Sequence, residues 1–170
     1  MYAGHAALAL VAKSKRPTIA LALLIPVAFA PDWLKVIVAF LGHPNRQLTH
    51  SLVSVGLGAT LVALAYYAST RSSTDAAVLW LTYASHWPAD YVTGIKPTWP
   101  GGPDVGLLMY GVQYADVTIE SALVVVCWLI YRRSLPPESR RRAINYLIPM
   151  GLIGLQILFD ALNQYPQLVD

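Results

Sequence analysis

Apolar stretches alternate along this chain with short polar or proline-containing breaks. Tyr2 to Ala12 is apolar but too short to cross a bilayer, for which about 20 residues are needed. Five longer apolar stretches follow, at 18–41, 50–68, 76–91, 116–131 and 143–162. Asp32 lies within the first of them, directly after the second of two prolines, Pro26 and Pro31. The pattern predicts a short N-terminal half-helix and about five full membrane spans.

The composition points to the same class of protein. Hydrophobic residues make up 56% of the chain and charged residues only 12%, whereas about 25% of the residues in soluble domains are charged. The mean hydropathy is +0.49. These values exclude an ordinary soluble domain and predict an all-α, polytopic membrane helical bundle. We expect one integral membrane domain over residues 1–170, with the motif-bearing part at 1–104 and additional spans at 116–131 and 143–162.

The basic residues cluster in the breaks, which explains the pI near 9.1 without a nucleic-acid partner. Lys13, Lys15 and Arg16 precede the first full span. If the spans alternate, Arg71 and the five arginines of 132–142 fall on the same side. Because Lys and Arg accumulate on the cytoplasmic side of membrane proteins, we predict that these clusters are cytoplasmic and that the C-terminus is outside. The expected partner is the lipid bilayer.

A histidine and an aspartate stand four residues apart near the end of the third span. In Ser85-His86-Trp87-Pro88-Ala89-Asp90-Tyr91, this spacing places His86 and Asp90 on one face of a helix. An imidazole and a carboxylate one turn apart can bind the same metal ion. Pro88 removes a backbone hydrogen bond to Ala84 and should kink the helix there. The alternative is that the two side chains are hydrogen-bonded separately at a helix end.

Three further residues are predicted to lie near this pair. If the spans alternate in direction, Asp32 and His50 both lie toward the outer side of the membrane. His5 joins them if the half-helix turns back. Nitrogen and oxygen donors together suit zinc or another first-row divalent ion, and ionisable residues within a membrane are functional by default. The predicted metal ligands are His5, Asp32, His50, His86 and Asp90. The alternative is that each is satisfied separately, Asp32 as a helix cap and His50 as an interfacial residue.

The candidate catalytic residues are Arg46 and Asp90. The planar guanidinium of Arg46 suits a bidentate phosphate or carboxylate, or it pairs with headgroups as an interface anchor. Asp116 and Glu120 repeat the four-residue spacing on the next span, where they either orient the histidines or line a solvated cavity. Thr49 is expected to cap the second span.

Five motifs occur in order within the first 104 residues: Gly4-His5, Pro31-Asp32, Arg46-Gln47-Leu48-Thr49-His50-Ser51-Leu52, Ser85-His86-Trp87-Pro88-Ala89-Asp90 and Gly94-Ile95-Lys96-Pro97-Thr98-Trp99-Pro100. Together they resemble the YdjM-type family of inner-membrane metal-dependent hydrolases, and the Arg-x-x-Thr-His-Ser block is the most specific part. The resemblance implies a protein of a bacterial or archaeal inner membrane. In the order of its ligands alone, the chain is also similar to the zinc-dependent phospholipase C group.

The chain departs from the family pattern at two positions. Leu34 replaces the second acid of Pro-Asp-x-Asp, and Asn45 replaces the histidine before the arginine of the Thr-His-Ser block. If those two residues help to hold a second metal in the family, this chain binds one ion at most. His43 lies two residues from Asn45, and we expect it to be an ordinary loop residue.

The predicted function is hydrolysis of an ester or phosphoester bond in a lipid or amphipathic substrate. The cofactor is predicted to be a divalent metal ion, zinc above all, which lowers the pKa of a bound water toward neutrality. The aromatic loop from Trp99 to Tyr110 would admit a lipid from the outer leaflet. The alternative is a transporter or membrane binding protein that uses the polar cluster as an ion or proton site, although the chain has no internal repeat.

Overall fold

The computed structural model describes residues 3–42, 48–112 and 114–164. Their helices are α1 (Ala3–Lys15), α2 (Leu21–Ala28), α3 (Ala30–Phe40), α4 (Leu52–Thr70), α5 (Ser73–Ala84), α6 (His86–Thr93), α7 (Ala115–Ser134), α8 (Pro137–Arg140) and α9 (Ala143–Gln164). Two 3-10 turns, Leu48–His50 and Met109–Gly111, and two short strands, β1 (Lys96–Pro97) and β2 (Asp104–Val105), complete the order. The predicted all-α class is confirmed, with one small antiparallel hairpin added.

The predicted count of five membrane spans is not supported by the helices described. Two of these helices are long and apolar enough to cross a membrane, Leu52–Thr70 and Ala143–Ala161, and α2 with α3 forms a third span if that pair is one broken helix, bent by 57°. The predicted third span is divided, because α5 ends at Ala84 and α6 begins at His86. The predicted fourth span, within α7, carries Asp116 and Glu120 in its first turns and two arginines at its end. The expectation failed because apolar composition does not reveal where a helix stops.

Proline positions explain the two breaks. Pro31 lies at the start of α3, where the missing N–H of a proline costs nothing. Pro88 lies in the first turn of α6, so its ring cannot continue the hydrogen-bond pattern of α5 toward Ala84. The kink predicted from Pro88 is thus present as the break at Ser85.

The half-helix α1 lies among the other helices. Its thirteen residues span about 20 Å at 1.5 Å per residue, too little for a bilayer. It turns back before α2 with Lys13 donating from Nζ to the carbonyl oxygens of Pro17 and Ile19. Arg16 forms an ion pair with Asp75 at the start of α5, with 2.6 Å between Nε and Oδ1. Two of the three basic breaks predicted to share a side therefore meet at one end of the bundle.

The apolar core has two parts, one on each side of α1. The larger joins α1, α2, α4 and α5 through residues such as Leu24, Val55, Leu79 and Tyr83. The smaller joins the start of α1 to α7 and α9 through Ala3, Ala7, Val124 and Cys127. Small residues on α1 allow this close approach, because packed helices without bulky side chains come nearer together. The start of α1, and with it His5, is thereby fixed in the interior.

Candidate metal centre

Four chain segments bring five ionisable side chains together. His5 comes from α1, Asp32 from the first turn of α3, His50 from the 3-10 turn before α4, and His86 and Asp90 from α6. These are the five predicted ligands, and we call them the histidine–aspartate cluster. The side chains of His86 and Asp90 are at most 4% exposed, whereas the side chain of Asp32 is 41% exposed. Asp32 is therefore the rim of an otherwise buried cluster.

Two nitrogens and two oxygens lie at distances that suit a single ion. His50 Nε2 is 3.0 Å from Asp32 Oδ1 and 3.9 Å from Asp90 Oδ2. His86 Nε2 is 3.9 Å from Asp32 Oδ1 and 3.5 Å from Asp90 Oδ2. Tetrahedral zinc with ligands at 2.0–2.2 Å holds its donor atoms about 3.4 Å apart. The donors fall into two overlapping groups of three that could each hold a metal ion, His50 with His86 and Asp90, and His5 with Asp32 and His86; within each group the ligand atoms lie within 4.8 Å of one another.

The tautomer of His86 follows from its hydrogen bond to the backbone. Nδ1 lies 3.0 Å from the carbonyl oxygen of Ala28, and a carbonyl only accepts, so Nδ1 carries the proton. Ala28 ends α2 at the bend, where helix carbonyls lack an intrahelical partner. In the neutral ring Nε2 then holds a lone pair. That atom is buried without a hydrogen bond and faces the oxygens of Asp32 and Asp90, which are acceptors as carboxylates. A cation between them resolves this conflict.

His5 lies beside this group of four donors. Its ring stacks on that of His86, with centroids 3.8 Å apart and an interplanar angle of 10°, and meets Phe29 edge-on. Nε2 is 3.3 Å from Asp90 Oδ1. Neither ring nitrogen makes a hydrogen bond of good geometry. One of them lies within 4.8 Å of ligand atoms of Asp32 and His86, so His5 belongs to the second possible group of metal ligands.

His50 is oriented by its sequence neighbour. Thr49 Oγ1 lies 2.8 Å from His50 Nδ1, so Thr49 positions the imidazole. The cap of α4 is Ser51, whose side chain accepts from the N–H of Ser54, and the prediction that Thr49 caps this helix is wrong. Burial lowers the pKa of His50, an effect that its hydrogen bond with Asp32 opposes. The neutral imidazole is the form that binds metals.

Lys96, a basic residue outside the cytoplasmic clusters that was expected to serve the polar motif beside it, is a member of the site. Strand β1 places its Nζ 3.1 Å from Asp90 Oδ2, with only 16% of the side chain exposed. The signal for it was a lysine between apolar and aromatic residues directly after the His86/Asp90 helix. Its ammonium supplies a fixed positive charge beside the four donors.

The other predicted residues have different places. Glu120 is fully buried and accepts from the backbone N–H of Gly4 at 2.8 Å, so it holds the start of α1, one residue from His5. Asp116 accepts from the N–H of Val117 at the start of α7. Leu34 is 42% exposed on α3. Arg46, predicted to bind an anionic group, lies outside the described residues, as do His43 and Asn45.

Comparison of the chain with models of protein families, with curated proteins and with solved structures found no match. The resemblance to the YdjM-type family therefore stays a prediction. The geometry of the histidine–aspartate cluster is what indicates a function for this chain.

Proposed function

We propose that the protein is a membrane-bound, metal-dependent hydrolase that cleaves an ester or phosphoester bond of a lipid or amphipathic substrate. The observation that carries the proposal is the buried His86 Nε2, which has no hydrogen-bond partner and faces two carboxylates. Buried polar atoms in proteins almost always have a partner. A metal ion is the partner that satisfies two histidines and two aspartates at once.

In this proposal His50, His86, Asp32 and Asp90 hold the ion, and His5 completes or extends the set. Zinc suits these nitrogen and oxygen donors. When bound, a divalent ion lowers the pKa of a coordinated water toward neutrality and polarises the scissile group.

The chain's own residues would position and stabilise the reacting groups. Asp32, as the exposed rim, marks the side from which substrate enters. Lys96 directs an ammonium group at the same carboxylate oxygen as His86, where it can stabilise negative charge that develops on the substrate. Asp90 holds Lys96 and His86 in place, which is the role we propose for this predicted catalytic residue. Arg46 remains a proposed anion-binding residue.

Two helices long and apolar enough to span a membrane support a membrane location. We infer a prokaryotic inner membrane only from the family resemblance. The rival function, an ion or proton transporter, would also use a buried polar cluster. It predicts ion flux in sealed vesicles and no turnover of esters.

The test measures the metal content of the purified protein and then its hydrolysis of ester substrates. Protein purified in mild detergent should retain a divalent ion, or take up about one zinc ion after loading, because the two possible groups of ligands share His86. His86→Ala should not retain it, whereas Ser121→Ala, on α7, should. The loaded wild type should hydrolyse p-nitrophenyl esters or bis-p-nitrophenyl phosphate, and chelation should abolish this. Wild type that binds no zinc, or that binds zinc but hydrolyses neither ester class, would overturn the proposal.

A further inference from the structure

A large apolar cavity lies against the exposed side of Asp32. It has a volume of about 670 Å³, within the range of small-molecule sites, and lies between the start of α1, the bend from α2 to α3, and α9. Most of its lining is apolar, with Trp33, Val36, Leu155 and Phe159 among the largest side chains. Asp32 and Lys35 are the charged residues among those that line it. We call this cavity the α3–α9 groove.

The groove is continuous with the metal centre through Asp32. This carboxylate contacts His50 at 3.0 Å on one side and lines the groove on the other. On the outer wall, Trp33 and Val36 are each 61% exposed, so large apolar side chains border the open side of the groove. On α9 its walls run from Leu152 to Phe159, about 10 Å along the helix axis.

We propose that the α3–α9 groove binds the single hydrocarbon chain of an anionic amphiphile and brings its phosphate headgroup to Asp32 and the metal centre. This inference deepens the proposed hydrolase function and depends on it for the identity of the group at the headgroup end. An apolar groove that is open to lipid and closed at one end by charged residues suits a molecule with one apolar chain and one charged head.

The sign of the headgroup follows from the charges at that end. Asp90 is paired with Lys96 at 3.1 Å, and Asp32 and Lys35 both line the groove. These two carboxylates and two ammonium groups balance, so a divalent ion bound as proposed above leaves positive charge in excess, and an anionic group is then favoured over a cationic or neutral one. Phosphate also offers the oxygen atoms that hard or borderline divalent ions bind. The substrate class that results is a monoalkyl or monoacyl phosphate ester.

The experiment uses the full chain in phosphatidylcholine nanodiscs and a hexadecyl phosphate probe with a diazirine near the chain end. After photolysis, mass spectrometry should find the label on α3 and α9 residues of the groove. Leu155→Trp should reduce this labelling by about tenfold, because overfilling a pocket is strongly unfavourable. The matched control is Ile157→Trp, since Leu155 and Ile157 are 50% and 52% exposed on different faces of α9. On the opposite wall, Val36→Trp and Ile37→Trp form a second pair if Leu155→Trp fails to fold.

Headgroup recognition is tested with the same probe and its uncharged alcohol. Lys35→Gln should weaken labelling by the phosphate probe and leave labelling by the alcohol probe unchanged. Labelling spread evenly over the exposed faces, or equal in Leu155→Trp and Ile157→Trp, overturns the groove. These readouts need no turnover: groove labelling without hydrolysis of any ester would refute the hydrolase alone, and ester hydrolysis without groove labelling would refute the groove alone.

Discussion

Two polar clusters lie near the start of α1, one around Glu120 and the other the histidine–aspartate cluster. They differ in whether each hydrogen-bond acceptor faces a hydrogen-bond donor. Around Glu120, the carboxylate receives the N–H of Gly4 at 2.8 Å. The Gln156 amide, oriented to suit its neighbours, donates to the same carboxylate at 2.9 Å. In the histidine–aspartate cluster, by contrast, His86 Nε2 faces carboxylates without a hydrogen bond to either of them. Apart from the partly exposed Asp32, the members of both clusters are almost fully buried.

This difference separates a structural role from a binding role. A buried carboxylate that accepts from well-placed donors fixes the packing of the helices that supply them. A buried group whose acceptors face one another destabilises the protein until a cation joins them, and such local destabilisation is typical of functional sites. The two clusters should therefore respond in opposite ways to loss of charge and to removal of metal.

The largest expected effect is on metal binding when Asp90 loses its charge. Asp90→Asn keeps the shape of the side chain but removes the anion that contacts His5, His86 and Lys96. Zinc affinity should fall by more than about 100-fold, because a neutral amide replaces an anionic ligand. The matched control is Glu120→Gln, for which a loss of at most about tenfold is expected. Isothermal titration with zinc measures both, and equal losses in the two variants would remove the distinction between the clusters.

In the metal-free protein, we expect a substitution in the Glu120 cluster to reduce stability more than one in the histidine–aspartate cluster. Glu120→Leu leaves the N–H of Gly4 and the amide of Gln156 without their acceptor, which costs about 1–3 kcal/mol of unfolding free energy. Asp32→Asn removes a partly exposed charge and should change the stability by less than about 0.5 kcal/mol. Thermal unfolding in detergent after chelation gives the comparison. A larger loss for Asp32→Asn would mean that its ion pair with His50 stabilises the metal-free fold.

Much of this arrangement could be predicted from the sequence, because the spacing of residues along a helix and the length of an apolar stretch can both be read from neighbouring positions. The four-residue spacing of His86 and Asp90 placed both on one helix face, and the short N-terminal stretch predicted a half-helix that returns His5 to the interior. The span count failed because each apolar run was counted as one span across the proline-marked breaks after Ala28 and at Ser85. The Gly4–Glu120 contact joins residues 116 positions apart, which no local pattern encodes. The contact of Lys96 with Asp90 spans only six residues, but it depends on the turn of the chain between α6 and β1. Thr49 was assigned to the helix cap because a hydroxyl serves either a backbone N–H or an imidazole.

His5 allows a finer test within the histidine–aspartate cluster. His5→Phe retains a flat ring that can stack on His86, where the centroids are now 3.8 Å apart, but removes both nitrogens. Because His5 does not belong to the fully buried group of His50, His86 and Asp90, zinc affinity should fall by only about 10-fold if that group holds the ion. His50→Phe, which removes one of these three donors, is the comparison and should lose binding altogether. Loss of binding in both variants would place His5 among the essential ligands.

The smallest expected change in zinc affinity comes from substitution of Lys96, and it is an increase instead of a loss. Its ammonium shares Asp90 Oδ2 with the proposed ion, at 3.1 Å, and therefore competes with a cation for the same oxygen. Lys96→Met keeps the apolar stem and removes the charge, so zinc affinity should rise by about threefold, the effect of ~0.7 kcal/mol of relieved repulsion in a partly screened site. Turnover of an anionic ester should fall in the same variant, because the charge that would stabilise the developing oxyanion is gone. Lys96→Arg, which retains the charge, should show wild-type affinity. A fall in zinc affinity on Lys96→Met would instead assign Lys96 to orienting Asp90, and it would show that the carboxylate needs this donor even when a metal ion is bound.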